Sequence, residues 1–327
     1  MVEAAPAPRS PLGPIPLRAI RAARERIKDA AMRSPLIELE AAREVQVFAK
    51  LENLQAIGSF KLRGAGNAMA LAGPAALARG VYTASAGNMA QGVAWNARRR
   101  GIECAVIVPD HAPATKLDAI DRLGARIVKV PFSEWWQVLI DHGHPDFDGL
   151  FIHPFADPAV IAGNGTIGLE IVEDMPDVDA VLVPFGGGGL SCGIAAAIRG
   201  IRPEARVYGC EVETATPLRA AIAAGRAVES PRQQTFVDGI GAPTVLREMW
   251  PAAHRLLAGS LVVSLSEVAA AIRLLVQRAA VVAEGAGAAS VAAGWKRLAG
   301  DGRVVCVVSG GNIDQSVLSR ILAGEVP

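Results

Sequence analysis

The chain lacks several features that define common protein classes. Lysine and arginine total 33 against 32 aspartates and glutamates, so we expect no bulk attraction to nucleic acid or to an anionic membrane. No apolar run reaches the roughly 18 residues that a membrane-spanning helix needs. The first sixteen residues contain five prolines and no apolar stretch typical of a signal peptide. These absences predict a cytoplasmic protein whose partner is a small molecule.

Cysteine and aromatic residues are also sparse. The four cysteines stand singly without C-x-x-C spacing, which predicts buried thiols in a reducing compartment. They are Cys104, Cys192, Cys210 and Cys306.

His142 and His144 have no second cluster of ligand-type residues nearby, so they do not indicate a metal site. Only 5% of residues are aromatic, yet Trp135 and Trp136 are adjacent. This pair either packs in the core or an interface, or lines a binding cleft.

The remaining composition favours a well-packed α/β protein. The 327 residues are 51% hydrophobic and can bury a substantial core. Short β-branched runs alternate with alanine-rich helical stretches such as 91–100, 115–124, 190–200 and 268–280. The predicted strands are 45–50, 80–83, 104–108, 126–130, 180–184, 206–210, 261–263 and 304–308. This alternation predicts doubly wound parallel sheets covered by helices. The irregular segment 142–149 is expected to be a long loop or hinge at a domain edge.

Lys61 is the first candidate for chemistry. It stands between Phe60 and Leu62 in a run bracketed by Gly58 and Gly64, which we interpret as a turn. Apolar neighbours disfavour the ammonium form, lower the pKa and free the amine to attack a carbonyl. A surface lysine whose stem covers its apolar neighbours would give the same local pattern.

A second candidate is the glycine run Gly186, Gly187, Gly188 and Gly189 between a predicted strand and a predicted helix. Such a run lets backbone N–H groups approach a phosphate at the helix N-terminus. It lacks the Lys-Ser/Thr of a nucleotide loop and the G-x-G-x-x-G spacing of dinucleotide folds. That spacing occurs at 163–168, but no strand leads into it, and we interpret the match as accidental. A phosphate cradle together with an activated lysine favours pyridoxal phosphate over NAD or ATP.

Two further motifs follow predicted strands. In Ser85-Ala86-Gly87-Asn88, Ser85 either caps the next helix or meets a ligand, and Asn88 offers an amide to a ring hydroxyl or a carboxylate. Ser309 opens a Ser-Gly-Gly-Asn run at the carboxyl end of strand 304–308, where α/β folds bind ligands.

These four ordered motifs resemble the fold type II pyridoxal phosphate enzymes of the threonine dehydratase and serine racemase family, which share a tryptophan synthase beta-like fold. The resemblance covers nearly the whole chain. It implies a homodimer of two-domain protomers, with a large cofactor-binding domain from 1–53 and 151–327 and a small inserted domain at 54–150. The cofactor would lie in the cleft between them.

The resemblance also implies roles for single residues. Lys61 would carry the Schiff base beside Phe60, Asn88 would bond the ring hydroxyl, and Ser309 would bond the pyridine nitrogen. Gly186 to Gly189 would hold the phosphate, and Glu284 matches a position near the ring. The substrate carboxylate would meet the loop formed by Ser85, Ala86, Gly87 and Asn88.

The chain departs from the family pattern at three places. Ala86 stands where racemases of the group place a second serine, which argues against efficient racemisation. Met89 replaces the usual histidine. Pro217 stands where an aspartate would complete a cation site, so the remaining candidates, Glu211 and Ala215, offer few of the six or more oxygens that hard cations prefer.

The resulting prediction is an ammonia-lyase of amino acid catabolism. It would convert threonine, serine or a bulkier 3-hydroxy analogue to a 2-oxo acid and ammonia, with Lys61 removing the α-proton. No regulatory domain is expected after Pro327. A racemase, a β-replacement enzyme and a non-catalytic amino-acid-binding relative remain alternatives.

Overall fold

The computed structural model describes residues 10–41 and 45–327. The first sixteen residues are expected to contain no signal peptide. Residues 1–9 of that segment lie outside the described part of the chain. Within the two described ranges, no helix is both long and apolar enough to cross a membrane.

Strands and helices alternate along most of the described chain. The strands are β1 (Leu36–Ala41), β2 (Val45–Leu51), β3 (Val81–Ala84), β4 (Cys104–Pro109), β5 (Arg126–Val130), β6 (Leu150–Phe151), β7 (Ala180–Pro184), β8 (Arg206–Val212), β9 (Gly259–Val263) and β10 (Gly302–Val308). The helices are α1 (Leu17–Ile27), α2 (Lys61–Leu77), α3 (Asn88–Arg100), α4 (Ala114–Asp121), α5 (Phe132–Asp141), α6 (Pro158–Asp174), α7 (Gly189–Ile201), α8 (Pro217–Ala224), α9 (Trp250–Leu256), α10 (Leu265–Ala279), α11 (Gly285–Trp295) and α12 (Gln315–Leu322).

These strands form two sheets. The larger has the order β1-β2-β10-β7-β8-β9, and the smaller has the order β5-β4-β3-β6. Only β1 runs antiparallel to its neighbour among the strand pairs of the described residues. The predicted α/β class with two parallel sheets is therefore confirmed. The predicted limits of the two domains stay a prediction.

The larger sheet is buried on both faces, as helix-covered parallel sheets are. Along β7, Leu182 packs in one apolar cluster while Val181 and Val183 pack in another. Along β10, Cys306 belongs to the first cluster and Val305 to the second. Helices α10 and α11 cover the first face, and α6 and α7 cover the second. Alternate side chains thus anchor helices on opposite sides.

All eight predicted strands are present, each with ends within two residues of the prediction. The prediction missed β1 and the two-residue strand β6. The segment 142–149 is a loop, and it joins α5 to β6 within the smaller sheet's part of the chain. The predicted helix 115–124 ends at Asp121, because Gly124 takes a left-handed φ of 82°.

The G-x-G-x-x-G spacing at 163–168 lies inside helix α6, which confirms that it is no dinucleotide loop. Its glycines allow close packing between helices. A Cβ built on Gly163 would lie 2.5 Å from the carbonyl oxygen of Arg63 in α2, and one on Gly193 in α7 would lie 2.4 Å from the carbonyl oxygen of Ile161. Real side chains do not tolerate such distances, so α6 contacts α2 and α7 backbone to backbone.

A buried ionic cluster joins the start of α2 to the larger sheet. The Arg63 guanidinium donates from Nε to Glu52 at 2.8 Å and from Nη1 to Glu170 at 2.6 Å. A further bond from Nη2 reaches the Met32 carbonyl oxygen at 2.9 Å. Lys50, on β2, lies 2.7 Å from Glu170. Since all four charged side chains are buried, each depends on the others for the partners that water would supply.

We predict that Arg63→Met lowers the free energy of unfolding by about 3–5 kcal/mol, because it leaves Glu52 and Glu170 buried without their shared cation. Urea-induced unfolding followed by circular dichroism measures the effect. The matched control is Arg24→Met. The Arg24 side chain, which pairs with Glu173, is 40% exposed, so this ion pair should contribute only about 0–1 kcal/mol to the free energy of unfolding. Equal effects of the two substitutions would contradict the prediction.

Candidate active site

A cavity of about 390 Å³ lies between the two sheets. Residues at or just beyond the carboxyl ends of four strands line it, namely Ala84, Pro109, Pro184 and Ser309. Parallel α/β sheets bind their ligands at this edge, and the volume is in the range of about 300–1,000 Å³ found for small-molecule sites.

The cavity brings together residues that lie far apart in the sequence. Those lining it include Phe60, Lys61, Ser85, Ala86, Gly87, Asn88, Gly186, Gly187, Gly188, Gly189, Glu284 and Ser309. Every residue predicted to bind cofactor or substrate is in this set. Glu211 and Ala215, the candidates for a cation site, are not among the lining residues. The assigned roles themselves stay predictions.

Lys61 is the first residue of α2, so the predicted turn ends at Phe60 and residues 61–64 are helical. The chain before it is held by a backbone bond from the Phe60 N–H to the Ser309 carbonyl oxygen at 3.1 Å. The Lys61 ammonium donates to the Pro154 carbonyl oxygen at 2.8 Å and lies 5.2 Å from the centre of the Phe60 ring. Its end therefore lies inside the cavity, and the alternative of a lysine with its head in bulk solvent does not apply.

Burial lowers the pKa of Lys61 to about 8, against the opposing effect of the nearby Glu284 charge. Desolvation disfavours the ammonium more than the single neighbouring carboxylate favours it. An ordinary lysine is almost fully protonated at neutral pH. Lys61 is therefore poised to lose its proton within the physiological range.

Glu284 is the acidic counterpart in the same cavity. Burial, reinforced by Asp238, raises its pKa to about 8, while Lys116, Asn88 and Lys61 oppose the rise. Asn88 Nδ2 donates to Glu284 Oε1 at 2.8 Å. Asn88 Oδ1 in turn accepts a bond from Asn312 Nδ2 at 2.8 Å. This chain of bonds sets the orientation of the Asn88 amide across the cavity.

The four glycines lie between β7 and α7, where the phosphate cradle was predicted. Gly188 has a left-handed φ of 89° and caps α7. A Cβ on Gly187 would lie 2.3 Å from the Phe155 ring, and one on Gly189 would lie 2.7 Å from the Phe155 carbonyl oxygen. The close approach of Phe155 therefore requires glycine at positions 187 and 189, whether or not a ligand binds to the loop.

The same loop suits an anion on its cavity side. Among the backbone bonds of the described residues, none is donated by the N–H groups of Gly186, Gly187 or Gly188. The first N–H groups of α7 add to them, with the positive end of the helix dipole. Since this loop lines the cavity that holds Lys61, a phosphate group would meet several unused donors.

The loop at residues 85–88 differs from the expectation in one detail. Gly87, not Ser85, is the cap residue of α3, and the Ser85 hydroxyl instead accepts a bond from the Gly87 N–H at 3.2 Å. Ser309 is 3% exposed and lines the cavity. Both hydroxyls thus lie where a ligand could reach them.

Glu211, a candidate cation ligand, has its carboxylate engaged by donors of the protein itself. The Glu211 carboxylate is buried at the N-terminus of α8, where it accepts bonds from the Leu218 N–H at 2.7 Å and the Arg219 N–H at 2.9 Å. The Ser260 hydroxyl donates to it as well. Both carboxylate oxygens are therefore occupied by protein donors, and the described residues contain no cluster of three metal-ligand side chains.

Sequence reasoning missed several residues of the cavity. It had no signal for Pro154 and Phe155, which follow β6 and contact Lys61 and the glycines. It also missed an ion pair between Lys116 of α4 and Asp238, which joins the two sides of the cavity. No local sequence pattern marks these loops, because only the tertiary fold brings them to the cavity.

Comparison with known proteins agrees with this geometry. Residues 27–310 match the family model for "Pyridoxal-phosphate dependent enzyme". The chain is 40% identical over 314 residues to an L-threonine ammonia-lyase from Thermotoga maritima, covering 94% of this chain and 78% of the relative. A structure of maize serine racemase has a TM-score of 0.87 at 28% identity, covering 95% of this chain and 98% of that one. The processed form of threonine deaminase isoform 2 from Solanum lycopersicum has a TM-score of 0.86 at 31% identity, covering 99% and 94%.

The chain belongs to the pyridoxal-phosphate dependent enzyme family. Within that family it is a fold type II protein of the threonine dehydratase and serine racemase group, as its four motifs predicted. The residues of the cavity fit the cofactor: an amine of lowered pKa, free N–H groups at a helix N-terminus and a hydroxyl beyond β10.

We predict that Lys61 of the cofactor-free protein reacts with an amine-specific acylating reagent with a midpoint near pH 8, because only the neutral amine is nucleophilic. Modification should rise as pH increases through that value. Peptide mapping by mass spectrometry across pH 6–11, a range set by the roughly 10.4 of an ordinary lysine, measures it. Lys296, which is 45% exposed, is the internal control. A midpoint for Lys61 as high as that of the control would contradict the prediction.

Proposed function

We propose that the protein is an ammonia-lyase that converts a β-hydroxy amino acid of the serine and threonine type to a 2-oxo acid and ammonia. The observation that carries the proposal is the position of Lys61. Its amine, of lowered pKa, shares one cavity with the free N–H groups of the glycine loop and with the loop at residues 85–88. Relatives named L-threonine ammonia-lyase, at 39–40% identity, support this reaction over others of the fold.

The cofactor supplies an aldehyde that condenses with the substrate amine and a conjugated ring that accepts the electrons left at the α-carbon. The chain's own contribution begins with Lys61, whose Nζ takes the α-proton as the general base. The Pro154 carbonyl oxygen, which accepts a bond from Nζ, holds the amine in place. The β-hydroxyl leaves with a proton as one water, and hydrolysis of the enamine product consumes one water and releases the 2-oxo acid and ammonia.

The loop at residues 85–88 would bind the substrate carboxylate. It lies before α3, so its backbone N–H groups lie at the positive end of that helix. Ala86, which lines the cavity, brings no hydroxyl that could return a proton to the α-carbon. This composition supports elimination over racemisation, in which the proton must be returned on the opposite face.

We expect purified protein to carry a chromophore near the edge of the visible range and to form 2-oxo acid from L-serine or L-threonine. Lys61→Ala should abolish the chromophore and lower turnover by about 10³-fold or more, because the variant has neither a nucleophile nor a base. Coupled reduction of the 2-oxo acid, with chiral chromatography of the remaining amino acid, measures both reactions. Accumulation of the D-enantiomer without 2-oxo acid would identify a racemase and overturn the proposal.

The protomer is proposed to form a homodimer. Leu54 and Val282 are 44% and 38% exposed, and Asn53, which precedes Leu54, donates to the Val282 carbonyl oxygen at 2.9 Å. Exposed apolar side chains grouped in this way favour a protein contact. Sedimentation analysis should give a mass twice that of the protomer. The Leu54→Asp variant should give a mass closer to that of a single protomer. A monomer at every concentration would contradict the proposal.

A cytoplasmic location is proposed from the thiols. The four cysteines are unpaired, and burial raises the pKa of Cys192 and Cys306 to about 12. Such thiols suit a reducing compartment. Cell fractionation with an antibody to the protein tests this, and recovery outside the cytoplasm would contradict it.

A further inference from the structure

One wall of the cavity is aromatic. Phe132, Trp135 and Trp136, hereafter the aromatic wall, all line the cavity that contains Lys61. The ring centres of Phe132 and Trp135 are 5.5 Å apart, and those of Trp135 and Trp136 are 6.2 Å apart. The three rings therefore form a continuous surface.

Helix α5 directs this wall into the cavity by its periodicity. Phe132, Trp135, Trp136 and Leu139 are spaced at i, i+3, i+4 and i+7, which places them on one helical face. All four line the cavity. Val138 and Leu139 belong to the apolar cluster of the smaller sheet, and Trp135 and Trp136 pack against the same cluster, so the sheet fixes how α5 is rotated. The wall is thus presented by a rigid element.

The cavity has further apolar lining residues. Ala86, Met89 and Ile240 line the same cavity, and Met89 is almost fully buried. Among the charged residues of the cavity, Lys116 is paired with Asp238, and the Arg232 guanidinium lies against the wall itself, 5.0 Å from the centre of the Phe132 ring. The wall is thus an apolar surface with one cation against it.

We propose, building on the lyase function above, that the β-carbon of the preferred substrate carries a bulky apolar group, best matched by an aromatic ring. The aromatic wall packs against this group. A serine or threonine side chain is too short to cover three rings, whereas an aryl group would remove them from water and gain offset or edge-to-face contacts. The aromatic ring of such a substrate would add one more stacked group to the aromatic wall, against which Arg232 already lies.

The first test compares substrates with the holoenzyme. We expect kcat/KM for one stereoisomer of 3-phenylserine to exceed that for L-serine and L-threonine at least tenfold, since even one methylene in an apolar pocket changes this ratio by roughly 10-fold or more. 3-Hydroxyleucine should lie between. Turnover of serine or threonine above 3-phenylserine would overturn the inference and leave the lyase function intact. Preference for 3-hydroxyaspartate would overturn it as well, by showing that Arg232 binds an acid. No turnover of any substrate by cofactor-loaded protein would overturn both.

The second test uses variants of the wall. Trp135→Ala and Phe132→Ala should lower the ratio of kcat/KM for 3-phenylserine to that for L-serine by about 10-fold, mainly through KM. The ratio is taken within one preparation, so partial unfolding cancels. Trp135→Leu, which keeps the helix face apolar, should fall between. Trp295→Phe, at a side chain 39% exposed and outside the cavity lining, should leave the ratio unchanged. An equal loss for both substrates would show that the wall only packs, and would overturn the inference.

Discussion

The position of Lys61 depends on the buried cluster around Arg63. Arg63 lies two residues further along α2, and its guanidinium bonds to Glu52 after β2 and to Glu170 of α6. On the other side, the Phe60 N–H bonds to the carbonyl oxygen of Ser309 beyond β10. The start of α2 is thus held from both directions. Because a buried guanidinium tolerates little displacement from its carboxylates, the amine at the helix start is placed with similar precision, and the cavity forms around it.

The electrostatics of the cavity follow from burial more than from pairing. Desolvation is the largest influence on both Lys61 and Glu284, lowering the pKa of the amine and raising that of the carboxyl until both are about 8. Because burial makes a charge costly, it favours the neutral amine of Lys61 and the neutral carboxyl of Glu284. The ion pair between Lys116 and Asp238 lies across the same cavity, and its two charges act on Glu284 in opposite directions. The ion pair that joins the two sides of the cavity thus also influences the proton affinity of Glu284.

Much of the fold could be predicted because the strands of helix-covered parallel sheets are rich in apolar residues, many of them β-branched. The predicted strands 180–184 and 304–308 have that composition. Strand β1 could not be recognised in this way, since it is an antiparallel edge strand with alternating glutamates, and β6 has only two residues. The candidate site could be predicted where a motif sits at the end of a strand, as at Asn88 and Ser309. Phe155 could not, because nothing local marks the segment whose ring approaches Gly187.

Four ordered motifs identify the class of protein without a structure, because chemistry sets their residue types: an amine, a run of glycines, an amide and a hydroxyl. How these groups act depends on the folded chain. It made Lys61 the start of a helix rather than part of a turn, gave both oxygens of Glu211 protein donors, and turned Trp135 and Trp136 towards the cleft. These outcomes depend on desolvation and on the rotation of a helix against its sheet. Both are set by contacts between residues distant in the chain, which no local pattern records.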